Sequence, residues 1–150
     1  MAFTIFLQID TITGSSTVKG HEGEIAVDSF SWDFSRAADA TAITAGELHV
    51  VAPTGRHTPQ LLQALADGTT FAHAHLSQLS PGTTGASIET LHLALDGLAI
   101  TDLQLQTTAA DGSLDRISLT VAAVTEDAKA QTAIGAGGPT ATSGLVTLVT

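Results

Sequence analysis

No cysteine occurs among the 150 residues. Disulfides and thiolate metal sites are therefore excluded, and redox usage says nothing about the compartment. Tyrosine is absent and tryptophan appears once, as Trp32. That weighs against an aromatic-rich face for carbohydrates or bases. Basic residues are scarce: five Lys and Arg stand against fifteen Asp and Glu, a formal net charge of -10. Binding to nucleic acid requires a basic surface that displaces counterions, and an anionic membrane surface asks for the same, so the balance argues against both. No apolar run is long enough to span a bilayer, so no membrane insertion is expected. The opening Met1-Ala2-Phe3-Thr4 lacks a basic n-region. The expectation is cytoplasmic synthesis, with any export using a route that needs no cleaved signal peptide.

What is present is enough apolar material for a core. The hydrophobic fraction is 43% while charged residues make up 13%, so much of the surface must be Thr, Ser, Gln and Gly. Such a surface suits protein–protein contact. The length is that of one domain, residues 1–150. The stretch from His57 to Phe71 carries the clearest helical signal. Thr58 offers an N-cap hydroxyl, Pro59 suits the first helical position, and Gly68 stands where a left-handed C′ residue belongs. Leu61, Leu62 and Leu65 share one face, which predicts a helix of about ten residues lying against a β structure.

The rest reads as strand and turn. Phe3, Ile5, Leu7 and Ile9 alternate with polar residues. Thr11 to Gly23 is a turn-rich connection. Ile25 to Phe34 predicts a long strand whose apolar parity changes near Asp28–Ser29, the mark of a bulge or of passage to a second sheet. Ser35 to Gly46 predicts a long loop that makes contacts. Further strands are expected at 47–51, 71–79, 88–95, 98–107 and 114–125, with a hairpin turn at Asp96-Gly97 and another turn at Asp111-Gly112. Pro81 to Gly85 reads as a turn, Glu126 to Gln131 as a helical turn or loop, and Gly135 to Gly144 as flexible. Leu145 to Val149 can add a last strand. Seven to nine short strands predict a mainly β fold: a compact two-sheet β-barrel or sandwich with one short α-helix packed at its side.

Candidate chemistry is thin. His73 and His75 project from one strand face and, with His92 on a neighbouring strand, could ligate a metal; an exposed polar face is the plainer reading, because no carboxylate cluster completes the set. Ser118, His92 and Asp96 make no triad, since no nucleophile elbow precedes any serine. The run Gly135-Ala136-Gly137-Gly138-Pro139 lacks the Lys and Ser/Thr of a phosphate loop. His21, in Gly20-His21-Glu22-Gly23-Glu24, is polar turn. The acids are scattered rather than paired. No catalytic residue, metal ligand or cofactor-binding residue is assigned, and no cofactor is expected.

A resemblance supplies more. Phe6-Leu7-Gln8-Ile9-Asp10, the Gly14-Ser15-Ser16-Thr17 turn, Lys19-Gly20-His21-Glu22-Gly23-Glu24-Ile25 and Ser29-Phe30-Ser31-Trp32 resemble the opening of the Hcp (haemolysin-coregulated protein) family. The likeness continues through Leu48-His49-Val50-Val51, Thr58-Pro59-Gln60-Leu61-Leu62, Gly68 to Phe71, Leu91-His92-Leu93 and Ile117-Ser118-Leu119, covering most of residues 3–125. Lys-Gly-His followed by Thr-Pro-x-Leu-Leu, in that order and at that separation, is its most specific part. Val124-Thr125-Glu126-Asp127 departs from the aromatics usual in the family's last common strand. The resemblance implies a structural tube protein of a type VI secretion system, not an enzyme. It implies homohexameric rings stacked into tubes, sheath and spike proteins as partners, small effector proteins carried or chaperoned in the lumen, and secretion with the tube. The alternatives are an orphan Hcp-like or other β-barrel binding module without a secretion machine, and, behind it, a metal-assisted hydrolase using His73, His75 and His92.

Overall fold

The computed structural model describes residues 3–39, 42–81, 87–131, 137–143 and 146–149. Strand β1 (Thr4–Ile9) is followed by the short strands β2 (Ile25–Val27), β3 (Ser29–Ser31), β4 (Phe34–Ser35) and β5 (Ile43–Ala45), then by β6 (Leu48–Pro53). Helix α1 (His57–Asp67) precedes the long strands β7 (Thr70–Pro81), β8 (Ser87–Thr108) and β9 (Gly112–Gln131). The chain ends with β10 (Gly137–Thr142) and β11 (Val146–Val149). The fold is mainly β with one short helix, as the alternation of apolar residues implies.

Strands β2, β1, β7, β8 and β9 lie side by side, β9 continues the sheet to β6, and β6 pairs with β3. β3 and β2 are one chain with only Asp28 between them. The circuit therefore closes through the chain itself, and Asp28 N–H donates to Val51 O at 2.8 Å at the seam. The expected change of parity is here: Ile25 and Val27 face the core on one side of Asp28, and Phe30 packs against it on the other. The interval expected to be one long strand is thus β2, β3 and β4, because the bulge turns the backbone from β1 onto β6.

The Asp96-Gly97 hairpin is overturned. β8 runs unbroken through both residues, with His73↔Asp96 and Phe71↔Leu98 paired on one side and Asp96↔Ala123 and Leu98↔Val121 on the other. Gly97 has φ +66°, and a Cβ there would come within 2.9 Å of the Ala122 Cβ. A left-handed residue inside a strand, pressed against its neighbour, requires glycine. The core changes parity at the same row. Leu93 and Leu95 are buried before it, Leu98 and Ile100 after it, and the neighbours change with them, Ala74 to Phe71 on β7 and Val124 to Val121 on β9. In sequence, that change is easily mistaken for a turn between two strands.

Two further irregularities sit on β8, at Thr90 and Thr101, where the register slips by one residue. At each the threonine hydroxyl donates to a carbonyl of the partner strand, Gln78 O at 3.3 Å and Ser118 O at 3.2 Å. The actual β8–β9 turn spans 109–111, with Gly112 at φ +85° and Thr108 paired to Gly112, as the Asp111-Gly112 dipeptide predicts.

Helix α1 ends as expected. Gly68 is left-handed, with φ 68° and ψ 33°, and the closing N–H bonds reach Ala64 O and Leu65 O. Its start differs. Arg56 is the N-cap and makes no side-chain cap bond. Thr58 lies inside the first turn, where its hydroxyl accepts from Gly55 N–H at 3.1 Å and donates to Asp115. The buried face is Leu61 and Ala64 with Leu65 beside them, whereas Leu62 is exposed. Gln60 pins the helix to the β1–β2 connection, its amide bonding both Thr13 N–H (3.0 Å) and Thr13 O (2.8 Å).

Ser35 to Gly46 is not all loop: β4 and β5 pair antiparallel, and β11 joins β5 in parallel. Glu126 to Gln131 is neither helical turn nor loop but the end of β9, paired with β10, which occupies most of the interval read as flexible. The last strand is present as β11, beside both β9 and β5. The turn expected at Pro81 to Gly85 falls almost wholly outside the described residues.

Candidate functional site

The histidines singled out by spacing lie on β7 and β8, and only two of the three meet. His73 Nδ1 meets Asp96 Oδ1 at 2.7 Å in an open pair. His75 stacks on His92, ring centroids 5.1 Å apart and planes 24° from parallel. His92 Nδ1 lies 3.9 Å from Asp127 Oδ2. Among the described residues no group of three His, Asp or Glu side chains is placed to hold a metal ion. Ser118 bonds to His49 Nδ1 at 3.0 Å across the β6–β9 ladder and not to His92. His21 lies flat on Phe6, with centroids 4.4 Å apart and planes 6° from parallel, and its Nδ1 is 3.1 Å from the Glu24 carboxylate. It serves as a cover for a buried phenylalanine. Gly137 to Pro139 belong to β10, so that part of the glycine run is strand; Gly135 and Ala136 are outside the described residues.

A different cluster is the one the fold buries. Asp115 on β9 is inaccessible to solvent and accepts from the Thr54 hydroxyl (2.8 Å) and from that of Thr58. His57, also buried, brings Nε2 to 3.3 Å of Asp115 Oδ2, yet neither ring nitrogen has a hydrogen-bond partner. Burial pushes the His57 pKa below its ordinary 6.5, and the charge and hydrogen-bonding capacity of Asp115 only partly offset this. Spacing does not reveal the cluster, but parity does: Asp115 shares its strand face with Ile117, Leu119 and Val121, so a carboxylate is committed to the core.

Surfaces suited to self-association lie elsewhere. From Thr101 to Thr108, β8 pairs with β9 alone among the described residues, leaving a strand edge that carries the exposed Leu105. Phe34, also exposed, is on β4 at the far end of the strand order. It rests on Trp32, whose Nε1–H donates to Gly46 O at 3.0 Å. Behind Phe34 is an apolar cavity of about 180 Å³ lined by Ile43, Val124 and Val146 with Glu126 and Ser143.

Comparison with known proteins gives these surfaces a context. The model of the family described as "Type VI secretion system effector, Hcp" matches residues 6–127. Among solved structures, Hcp1 from Salmonella typhimurium is 26% identical with a TM-score of 0.78, covering 95% of this chain and 92% of its own. A protein described as a type six secretion system protein is 18% identical with a TM-score of 0.84, over 96% and 93% of the two chains. Secreted protein Hcp3 from Pseudomonas aeruginosa is 13% identical with a TM-score of 0.76, over 99% and 100%. No curated protein matches the chain. With the family model matched across most of its length, the chain belongs to the Hcp family of the type VI secretion system.

Proposed function

We propose that this protein is a structural, non-enzymatic tube subunit. Six copies close into a ring, rings stack into a tube enclosed by sheath and tipped by spike proteins, and the lumen carries small effectors. It is assembled in the cytoplasm and leaves the cell with the tube. The observation that carries this reading is the family match over residues 6–127. The free edge of β8, the exposed Leu105 and Phe34, and the scarcity of charge support self-association. The β4–β5 segment is the contact we assign to a neighbouring protomer or ring.

Native mass spectrometry tests the assembly. A species at six times the 15.2 kDa protomer mass is expected at micromolar concentration. Replacing residues 41–44 with a short Gly/Ser link should leave a folded protomer by circular dichroism and weaken that species. A monomer or dimer at all concentrations would replace the tube with a binding module.

A further inference from the structure

Three Asp-Gly dipeptides occur in the chain, at 67–68, 96–97 and 111–112. In such a pair the glycine nitrogen can attack the aspartate Cγ, because no side chain on the glycine shields it. The fold treats the three differently. Asp67 is the last residue of α1; the Gln63 amide donates to both its carboxylate oxygens at 3.0 Å, and Gly68 N–H donates to Leu65 O at 3.3 Å. Asp96 is paired on both sides, with His73 and Ala123, and its carboxylate meets His73 Nδ1 at 2.7 Å. Gly97 is pressed against Ala122, so its peptide has no room to swing. Asp111 has none of these restraints. It is exposed in the 109–111 turn, and its carboxylate has no hydrogen bond or ion pair among the described residues. Gly112 has φ +85°, and a Cβ there would meet nothing within 4 Å. The Thr108↔Gly112 pair is the last of the β8–β9 ladder, where local opening costs least.

We propose that Asp111 is a site of spontaneous isoaspartate formation, and that the fold protects Asp67 and Asp96 from the same reaction. The Gly112 nitrogen bonds to Asp111 Cγ. The carboxyl group, protonated from solvent, loses its hydroxyl, which leaves with the amide proton as one water. The product is a five-membered succinimide. Water then adds to one of its two carbonyls. Opening at the Cγ carbonyl returns aspartate. Opening at the main-chain carbonyl gives isoaspartate, in which the chain runs through Cβ and Cγ to Gly112 and the α-carboxylate becomes the side group. One water leaves and one returns, so the only co-reactant is solvent. Mass and charge are unchanged, but the main chain gains one carbon. In a turn this short, the Thr108↔Gly112 row and the bond from Asp111 N–H to Thr108 Oγ1 (3.0 Å) absorb the extra length. Those contacts close the free edge of β8 that carries Leu105. The proposal concerns the protomer and stands whether or not rings form.

Ageing the full-length chain at physiological temperature and neutral pH tests it. Peptide mapping with electron-transfer fragmentation tells isoaspartate from aspartate at each position. Isoaspartate at 111 should accumulate at least about tenfold faster than at 67 or 96. In guanidinium chloride the three positions should react at similar rates, because the restraints that separate them are gone. Asp111→Glu, which would have to close a six-membered ring, should remove the product at 111 and leave 67 and 96 as slow as before. Absence of isoaspartate at 111 in the folded chain overturns the proposal, as does comparable accumulation at 67 or 96. A ranking that persists in guanidinium chloride also overturns it, since neighbouring sequence and not the fold would then set the rates.

Discussion

Two histidine–aspartate pairs occupy opposite extremes of this fold. His73 and Asp96 are 2.7 Å apart on adjacent strands, with side chains 65% and 41% exposed. His57 and Asp115 are 3.3 Å apart, with side chains 3% and 0% exposed. Distance ranks the open pair first, and burial reverses the order. Water and mobile ions screen the open pair, and holding two side chains in one geometry removes freedom. In the buried pair no solvent substitutes for a lost partner, so the same chemistry becomes structural. Asp115 also serves three side chains at once, whereas Asp96 serves His73 alone among the described contacts.

The hardest test of that contrast is Asp115→Ala. It removes the acceptor of the buried Thr58 hydroxyl and of the Thr54 hydroxyl. A loss of about 3–5 kcal/mol is expected in urea unfolding, because two hydroxyl bonds to a carboxylate, each contributing about 1.5–3 kcal/mol, are lost together. A loss under about 1 kcal/mol would place the cluster with the surface pairs and erase the distinction.

Next in size is the helix that the buried pair anchors. Leu61→Ala should destabilise by about 2–5 kcal/mol, since Leu61 is fully buried. Leu62→Ala, at a position 53% exposed, should change protomer stability by less than about 0.5 kcal/mol. Equal losses in the two variants would mean that the helix is rotated on the barrel.

These residues also mark what the sequence made legible. Helix existence, its glycine stop and the bulge at Asp28 were readable because each rests on a local rule: a periodic face, a left-handed cap, a change of parity. Leu62 reads in sequence as part of the buried face because three leucines at helical spacing describe a stripe but not its width or its rotation. Asp96-Gly97 misled for a related reason. The dipeptide needs positive φ at glycine either in a hairpin or inside a strand that reverses its buried face, and only the neighbouring Ala72 and Ala122, small and level with it, tell the two apart. The candidate site was less legible than the fold. Histidines two apart are conspicuous, while Asp115 is one acid within an alternating strand, and its partners come from positions 54, 57 and 58, far away in sequence.

A smaller effect separates the two pairs by pH. Burial lowers the His57 pKa in the folded chain below the 6.5 that the unfolded chain keeps. Below 6.5 the unfolded state therefore binds more protons at this position than the folded state, and stability rises with pH. The contribution is present in full above pH 6.5 and is lost as pH falls from 6.5 towards the folded value. Urea midpoints between pH 5 and 8 should show this slope, and His57→Gln should flatten its upper part. An unchanged slope in the variant would assign it to other groups.

The smallest expected effect belongs to the open pair. Asp96→Ala and His73→Ala, singly and together, form a double-mutant cycle across β7 and β8. Its coupling energy should lie within about 0.2–1 kcal/mol, the range for exposed pairs. At 2.7 Å the geometry is good, so the value need not be zero. The charged part of it should shrink as salt rises from about 0.01 M, where the Debye length is about 30 Å, to about 1 M, where it is about 3 Å. Removing either side chain leaves the other in water, so neither single variant strands a buried group, and the two strands keep their ladder through backbone bonds. That is the physical difference from Asp115, whose loss leaves the buried Thr58 hydroxyl without its acceptor. A coupling above about 2 kcal/mol would mean that His73 and Asp96 are covered in solution. A second protomer lying over this face of the sheet would do that, and the coupling should then collapse on dilution below the concentration at which the assembly dissociates.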